Sequence, residues 1–479
     1  MSIQTLGKKM YISGEWVSRD EVIEVLDPQD NSLVDVVPVA TRQDVESAVE
    51  GAKEGAKIAA AMPAHQRMSI LRKTAENIAF RSEDFAITIA REGIKTIREA
   101  RKEVKRCIQT LELCAEEARR LHGETIQFDQ SPTGGEGRMG YYYRFPVGIV
   151  AAITAFNDPL NLVAHKIGPA IAAGNAVIVK PAKVTPISAL MLAEAFFDAG
   201  LPSKVLSVIT GHAREIGDAL VTHPDVRVVS FTGGLKTGEE IAKKAGLKKI
   251  GMELGSNSPV IVLADADLDI AVDSTVSGAF WAAGQNCLGV QRIFVEKSIY
   301  STFVEKFVAR TEQLKVGDKL SEETDMGPLI TEREAIRVES WVNEAVADGA
   351  IVEMGGKRDG AFYQPTVLTH VPLHSRVARE EVFGPVVSLF PVAGLDEAIE
   401  LANDVNYGLQ AGVFTKNLEH AFTAVNRLHV GGVMINDSSD YRLDGMPFGG
   451  VKGSGIGREG VKFAIEEMTE LKVVCFKLQ

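Results

Sequence analysis

A chain of 479 residues is too long for one simple core, so two or three domains are expected. Its 45% hydrophobic and 24% charged residues are the balance of an ordinary globular protein. A formal net charge of -12 argues against nucleic acid or an anionic membrane as the main partner, while leaving room for a local basic pocket.

Cys107, Cys114, Cys287 and Cys475 are scattered, with no C-x-x-C pair, so neither a disulfide framework nor a zinc site is expected. The start, "MSIQTLGKKMYISGEWV", lacks the apolar stretch of a signal peptide. No apolar run approaches the roughly 20 residues that span a bilayer. These features point to a cytoplasmic protein in a reducing compartment.

From Met10 to Ala40 short apolar alternations broken by Ser-Gly, Asp-Pro and Asp-Asn predict strands and turns. Between Thr41 and Leu121 the spacing becomes helical, with Thr41 as a plausible N-cap. "GRMGYYYRFPVGIVAAITAF" returns to strand. Apolar strands such as "NAVIVKPA" and "VRVVSFTGG" then alternate with helices such as "ISALMLAEAFFDAG", the signature of a doubly wound α/β sheet. A second α/β stretch runs from "SPVIVLADAD" to the 430s, and "ELKVVCFKLQ" predicts a last strand.

Cys287, in "AAGQNCLGVQR", raises the chemical question. A free cysteine is more often a small buried hydrophobe than a nucleophile. Cys107 and Cys114, seven apart on one helical face, fit the bland reading. Cys287 instead follows a bend after a probable helix, where a thiol can point into a cleft. A nucleophilic thiol needs a base, and Glu253 stands between an apolar strand and a Gly-Ser-Asn turn, where desolvation raises its pKa. A solvated strand-end glutamate is the competing reading. Asn157 follows a buried strand and could donate to an oxyanion or simply cap a turn. Lys180 falls at the C-terminal end of a strand, where doubly wound sheets bind ligands. There is no G-x-G-x-x-G fingerprint, no phosphate loop and no H-E-x-x-H, so metal catalysis is not expected.

The order of the short motifs is more specific than any one of them. "FN" at 156–157, "KPA" at 180–182, "FTGG" at 231–234, "ELGS" at 253–256, "GQNC" at 284–287, "EEVFGPV" at 380–386 and "PFGGVKGSGIGRE" at 447–459 together resemble the NAD(P)-dependent aldehyde dehydrogenase superfamily, end to end. The resemblance implies two Rossmann-like α/β domains plus a β-ribbon. Residues 1–121 and 147–255 would bind the dinucleotide, 256–453 would form the catalytic domain, and 122–146 with 465–479 the oligomerisation elements. A homodimer or homotetramer is then expected.

By the same resemblance Cys287 is the nucleophile, Glu253 the general base, Asn157 the side-chain half of an oxyanion hole, and Glu459 a proton relay. Lys180 would hold the adenosine ribose, Glu381 the nicotinamide ribose, and Phe383 would pack beside it. Gly233 and Gly238 would lie along the pyrophosphate, with Ala155, Phe156 and Leu254 as further cofactor contacts. The implied chemistry is oxidation of an aldehyde to its acid through a thiohemiacetal and a thioester.

Three departures refine this. Lys183 stands where many NAD-preferring relatives carry Glu, which leans the cofactor toward NADP rather than NAD. Gly234 replaces a common Ser, and Asn286 replaces the Arg that relatives acting on phosphorylated or phosphonate aldehydes can carry. Arg106, Asp158 and Arg442 are polar groups near the expected substrate tunnel, and arginines suit carboxylates, although structural salt bridges would explain them equally. The "NDSS–YR–D–MPFGG" run resembles the branch with lactaldehyde and phosphonoacetaldehyde dehydrogenases. A short hydroxylated or acidic aldehyde such as lactaldehyde or a semialdehyde is expected. Acyl transfer to coenzyme A is the alternative, disfavoured by the presence of Glu253, and a phosphorylated or phosphonate aldehyde is another.

Overall fold

The computed structural model describes residues 7–478; residues 1–6 and 479, which belong to the expected first and last segments, lie outside it. The expected α/β architecture is present as two large sheets and a separate antiparallel ribbon. In the first sheet, strands Leu206–Val208, Ala176–Lys180, Ile149–Ile153, Val226–Thr232 and Lys249–Glu253 lie side by side and parallel. Short antiparallel strands close both edges: Met10–Ile12 with Glu15–Val17 on one side, Gly455–Ile456 on the other. The central strands are buried on both faces, which is why they read as unbroken apolar runs rather than alternating ones.

Helices Asn161–Ala173 and Ile187–Asp198 pack on one face with much of the N-terminal helical region. Helices Arg42–Ala61 and Leu235–Ala245 cover the other. The helical stretch after Thr41 is four helices, interrupted at Pro63, Arg81 and Gly93. Thr41 caps the first in a reciprocal capping box with Asp44, and Thr96 with Glu99 does the same for helix Ile97–Ala118. Cys107 and Cys114 are buried on that last helix, packing as small hydrophobes.

The second sheet has strands Thr366–Thr369, Val386–Val392, Val290–Glu296, Ser258–Val262, Gln410–Phe414 and Gly432–Ile435 in parallel order, with Ile351–Met354 antiparallel at one edge. In the ribbon, Thr469–Lys477 pairs along its whole length with Arg138–Pro146, and Glu124–Ile126 adds a third strand.

Candidate active site

The first sheet brings the candidates together through its topology. Strands Ile149–Ile153 and Val226–Thr232 are neighbours, yet the helices that follow them leave to opposite faces. A crevice therefore opens beyond their C-terminal ends, the place where doubly wound sheets take ligands. Ala155, Phe156 and Asn157 leave the first strand there, and Gly233 and Gly234 leave the second. Register places Lys180 beside Ile153, and Glu253 beside Thr232, so four neighbouring strands deliver their chemistry to one edge.

Cys287 arrives from the second sheet. After helix Leu268–Phe280 the chain turns through Ala282, Ala283 and Gly284, all with left-handed backbone (φ 51°, 54° and 69°). Two non-glycine residues there cost strain, and the surroundings hold them. Glu99 accepts the Ala282 N–H at 2.8 Å; Gln285 donates to the carbonyls of Ala282 and Pro328 and accepts the Ile330 N–H at 2.9 Å. Gln285, the first of the two amides that precede the cysteine, is thus a structural staple.

Cys287, Glu253 and Asn157 share a cavity of about 520 Å3. Burial pushes the Cys287 thiol up to about 12, aided by the charges of Glu381, Glu253 and Glu459 and opposed by Arg442. Glu253 is buried, its Oε2 has no hydrogen-bond partner, and burial with the neighbouring charge of Glu459 raises it well above the carboxylate range. A Cβ on Gly449 would stand 2.9 Å from Glu253 Oε1, so that glycine in "PFGGVKG" makes room for the acid. Glu459 behaves oppositely. Burial alone would raise it, but Lys166 at 2.9 Å and Arg442 at 3.3 Å keep it low and charged. Within this acidic pair, Glu253 is the stronger base and Glu459 the charged neighbour. The Asn157 side chain has no hydrogen-bond partner among the described residues and lines the same cavity.

Arg106, Asp158 and Arg442 also line it, and they are ion-paired. Arg106 bonds Asp444 at 2.8 Å and Asp158 at 3.4 Å. His165 reaches Asp444 at 2.9 Å. Against the burial that would raise it, His165 and Arg106 hold Asp444 well below the carboxylate range. Asp158 also pairs with buried Lys95, which bonds Glu103 at 2.8 Å; Glu103 in turn accepts the N–H groups of Leu160 and Asn161 at 2.8 and 2.9 Å. That chain fixes the loop carrying Asn157. Sequence reading missed Lys95, Glu103, His165, Lys166 and Asp444. For His165 and Lys166 a signal existed: two charged or titratable residues inside an otherwise apolar, wholly buried helix.

A groove of about 950 Å3 joins the cavity, the two sharing Ala155, Thr232, Gly233, Gln285, Glu381 and Phe383. Several of its buried polar groups lack full partners. Lys180 is buried, makes only a 3.3 Å bond to the Pro181 carbonyl, and is lowered to about 8 by burial. The hydroxyls of Thr154 and Thr232 are buried without partners. Glu381 is raised by burial to about 7, and a Cβ on Gly255 would come within 2.2 Å of it. Phe383 has a left-handed backbone (φ 47°) and meets Phe156 edge to face, centroids 5.7 Å apart. Helix Leu235–Ala245 starts at Gly234 with no side-chain cap, leaving its first N–H groups free. Six of the nine expected cofactor residues line this groove. The other three do not: Lys183 is exposed between two lining residues, Gly238 packs against Leu254, and Leu254 faces the catalytic cavity. Arg214, not foreseen, does line the groove.

Among the described residues no helix is long and apolar enough to cross a membrane, and no His/Cys/Asp/Glu group is arranged for a metal ion.

A crevice at the switch point of the first sheet opens onto the cavity that holds Cys287 and Glu253, and comparison with known proteins gives this arrangement a family. Residues 16–474 match the aldehyde dehydrogenase family, and the chain belongs to it. It is 52% identical over 456 residues to aspartate-semialdehyde dehydrogenase 1 of Pseudomonas canavaninivorans, covering 95% of this chain and 97% of that one. It is 49% identical over 469 residues to the 3-sulfolactaldehyde dehydrogenase of Priestia megaterium, covering 98% of each. Aldehyde dehydrogenase 21 of Physcomitrella patens, solved with the reaction product succinate, superposes with a TM-score of 0.96 at 39% identity, covering 99% of each chain. The NADP-dependent glyceraldehyde-3-phosphate dehydrogenase of Bacillus halodurans, solved with NADP, gives 0.97 at 38% identity over 99% of this chain and 100% of that one.

Proposed function

We propose that this enzyme oxidises a short hydroxylated or acidic aldehyde to its carboxylic acid, using NADP in preference to NAD, through covalent attachment to Cys287. The observation that carries this reading is the junction of cavity and groove: Glu381 and Phe383 line both, and Cys287 lies on the cavity side. A dinucleotide fits the groove because its hydroxyls would satisfy Lys180, Glu381 and the orphaned Thr154 and Thr232, and its phosphates the free N–H groups after Gly234. When bound, the nicotinamide supplies the hydride acceptor.

A thiol raised to about 12 is a poor nucleophile at neutral pH, so its proton must leave as the S–C bond forms. Glu253 in its ionised form accepts it, directly or through water, and burial makes that carboxylate a stronger base. Asn157, with the Cys287 backbone N–H, stabilises the oxyanion of the thiohemiacetal. Once the thioester has formed and Glu253 has passed the first proton outward, Glu253 takes a proton from water as the water attacks; the acid leaves, and the departing thiolate takes up a proton to restore the thiol. Glu459, held charged by Lys166 and Arg442, tunes Glu253 and relays its proton outward.

The relatives named above act on acidic aldehydes or were solved with a dicarboxylate product, which supports the substrate class. Asp437 and Asp440 line the cavity without ion pairs and supply acceptors for a substrate hydroxyl. Lys183, beside the groove, and Arg214, in it, support NADP through its extra phosphate. The reading includes a homodimer or homotetramer: the long edge strand Thr469–Lys477 and exposed Met139, Leu471, Val473 and Phe476 on the ribbon call for cover. A cytoplasmic setting follows from four free cysteines.

The test is to trap the intermediate. Wild-type enzyme mixed with aldehyde and NADP and quenched in acid within the first turnover should carry a mass increment equal to the acyl group on the peptide containing Cys287, with one equivalent of NADPH formed. Absence of the adduct, with steady turnover, would refute the covalent route.

A further inference from the structure

The cavity beside Cys287 is lined by four cationic side chains, Lys95, Lys102, Arg106 and Arg442. Three are committed. Lys95 is paired with Glu103 and Asp158, Arg106 with Asp444 and Asp158, and Arg442 with Glu459. Their charge is spent on holding the walls together, and moving any of them onto a ligand would strand a buried carboxylate. Lys102 differs. Among the described residues it makes no ion pair, its side chain is exposed, and its ammonium lies 4.7 Å from the centroid of the Trp281 ring.

Geometry sets this residue at the mouth. Lys102 and Arg106 are four apart on helix Ile97–Ala118, so they share a face, about 6 Å apart along the axis. Arg106 is held inward by its two carboxylates, whereas Lys102 reaches over Trp281, the residue that begins the bend leading to Cys287. The ring attracts the ammonium without neutralising it, which orders a long side chain and leaves its charge available. Asp437 and Asp440 line the same cavity without cationic partners among the described residues, so an entering anion is held off that acidic wall and drawn to Lys102.

We propose that Lys102 selects the substrate: its ammonium pairs with a single oxyanion, a carboxylate or sulfonate, at the end of the aldehyde remote from the carbonyl. The arginines nearer the nucleophile then shape the cavity instead of gripping the ligand. This inference rests on the acidic-aldehyde reading above and gives it a residue.

The experiment compares wild type, Lys102→Met and Lys102→Arg on three aldehydes: succinic semialdehyde, a sulfonated aldehyde of similar length, and butyraldehyde. The readout is the ratio of kcat/KM for each anionic aldehyde to that for butyraldehyde, at low and high salt. Wild type should favour the anions, more so at low salt, because an exposed pair is screened. Lys102→Met should cut the ratio roughly three- to tenfold, chiefly through KM, flatten its salt dependence, and be rescued by Lys102→Arg. A larger loss for one anion than the other identifies which oxyanion the site is built for. If wild type prefers the anions and Lys102→Met keeps that ratio, the role of Lys102 is overturned while the substrate class stands. A fall in all three rates together is a structural effect and also overturns it. If wild type prefers butyraldehyde, the acidic-aldehyde reading itself fails.

Discussion

The cofactor groove and the substrate cavity adjoin, yet they handle polarity in opposite ways. In the groove, Lys180, Thr154 and Thr232 stand without adequate partners, and burial has moved Lys180 and Glu381 toward their neutral forms. Around the cavity, Arg106, Asp158, Asp444, His165, Arg442, Glu459 and Lys166 are tied to one another by ion pairs, while the groups placed for chemistry, Glu253 and Asn157, stay unpartnered as the groove's binders do. Unpaired buried polarity is costly and persists where a ligand repays the cost. Paired polarity needs no ligand and builds shape. The contrast separates groups that bind from groups that position others, and substitutions on each side should fail differently.

The largest expected effect is at the oxyanion. Asn157→Ala removes a donor with no structural bond to lose, so kcat should fall roughly 10²–10³-fold, about 2.7–4 kcal/mol, with the melting temperature unchanged. A lowered melting temperature with modest loss of kcat would move Asn157 to the structural side. Asp444→Asn should do the reverse. Removing the carboxylate that Arg106 and His165 share leaves both without that acceptor, at a cost of about 1–3 kcal/mol, seen as a lower midpoint in urea unfolding. Because the folded-state pKa of Asp444 is depressed, its stabilisation is present in full above its unfolded pKa and is lost as pH falls below it. The wild-type midpoint should therefore decline in strong acid, and the variant's less so.

A smaller effect is expected in the groove. Lys183→Glu should lower the NADP-to-NAD ratio of kcat/KM by roughly tenfold, read from initial rates, since it replaces a cation beside an extra phosphate with a carboxylate suited to a diol. Smallest is a displacement of a pH profile. Glu459→Gln removes the charge that helps keep Glu253 protonated, so the acidic limb of kcat, which reports deprotonation of Glu253, should move to lower pH. An unmoved limb would assign it to another group.

Much of the binding side was readable in the chain because its signals are local. An apolar run ending in Lys180, another ending in Glu253, and the loop opening at Asn157 each announce a strand terminus, and strand termini at a switch point converge. Thr41 was legible as a cap for the same reason. The positioning side was hidden because its partners are remote: Arg106 and Asp444 are separated by 338 positions, and nothing near either names the other. The helical stretch from Thr41 reads as one block across real breaks at Pro63 and Gly93, because apolar spacing does not report which face of the sheet a helix covers: Arg42–Ala61 packs mainly on one face and the helices after Pro63 on the other. Gly238 followed a motif toward the groove, but the absence of its side chain serves helix–strand packing against Leu254.

The bend before Cys287 has one more consequence, for the order in which the molecule comes together. Its left-handed residues are tied by Glu99, 183 positions earlier, and through Gln285 to Pro328 and Ile330, more than 40 positions later. The ties to Pro328 and Ile330 need residues made after the bend, and an isolated Ala-Ala-Gly segment has no reason to hold that shape. The thiol is therefore aimed only where the segments carrying Glu99, Pro328 and Ile330 have docked around the bend. A partly folded copy has a cysteine but no nucleophile poised to capture stray aldehydes, and the appearance of activity is a report that assembly is complete.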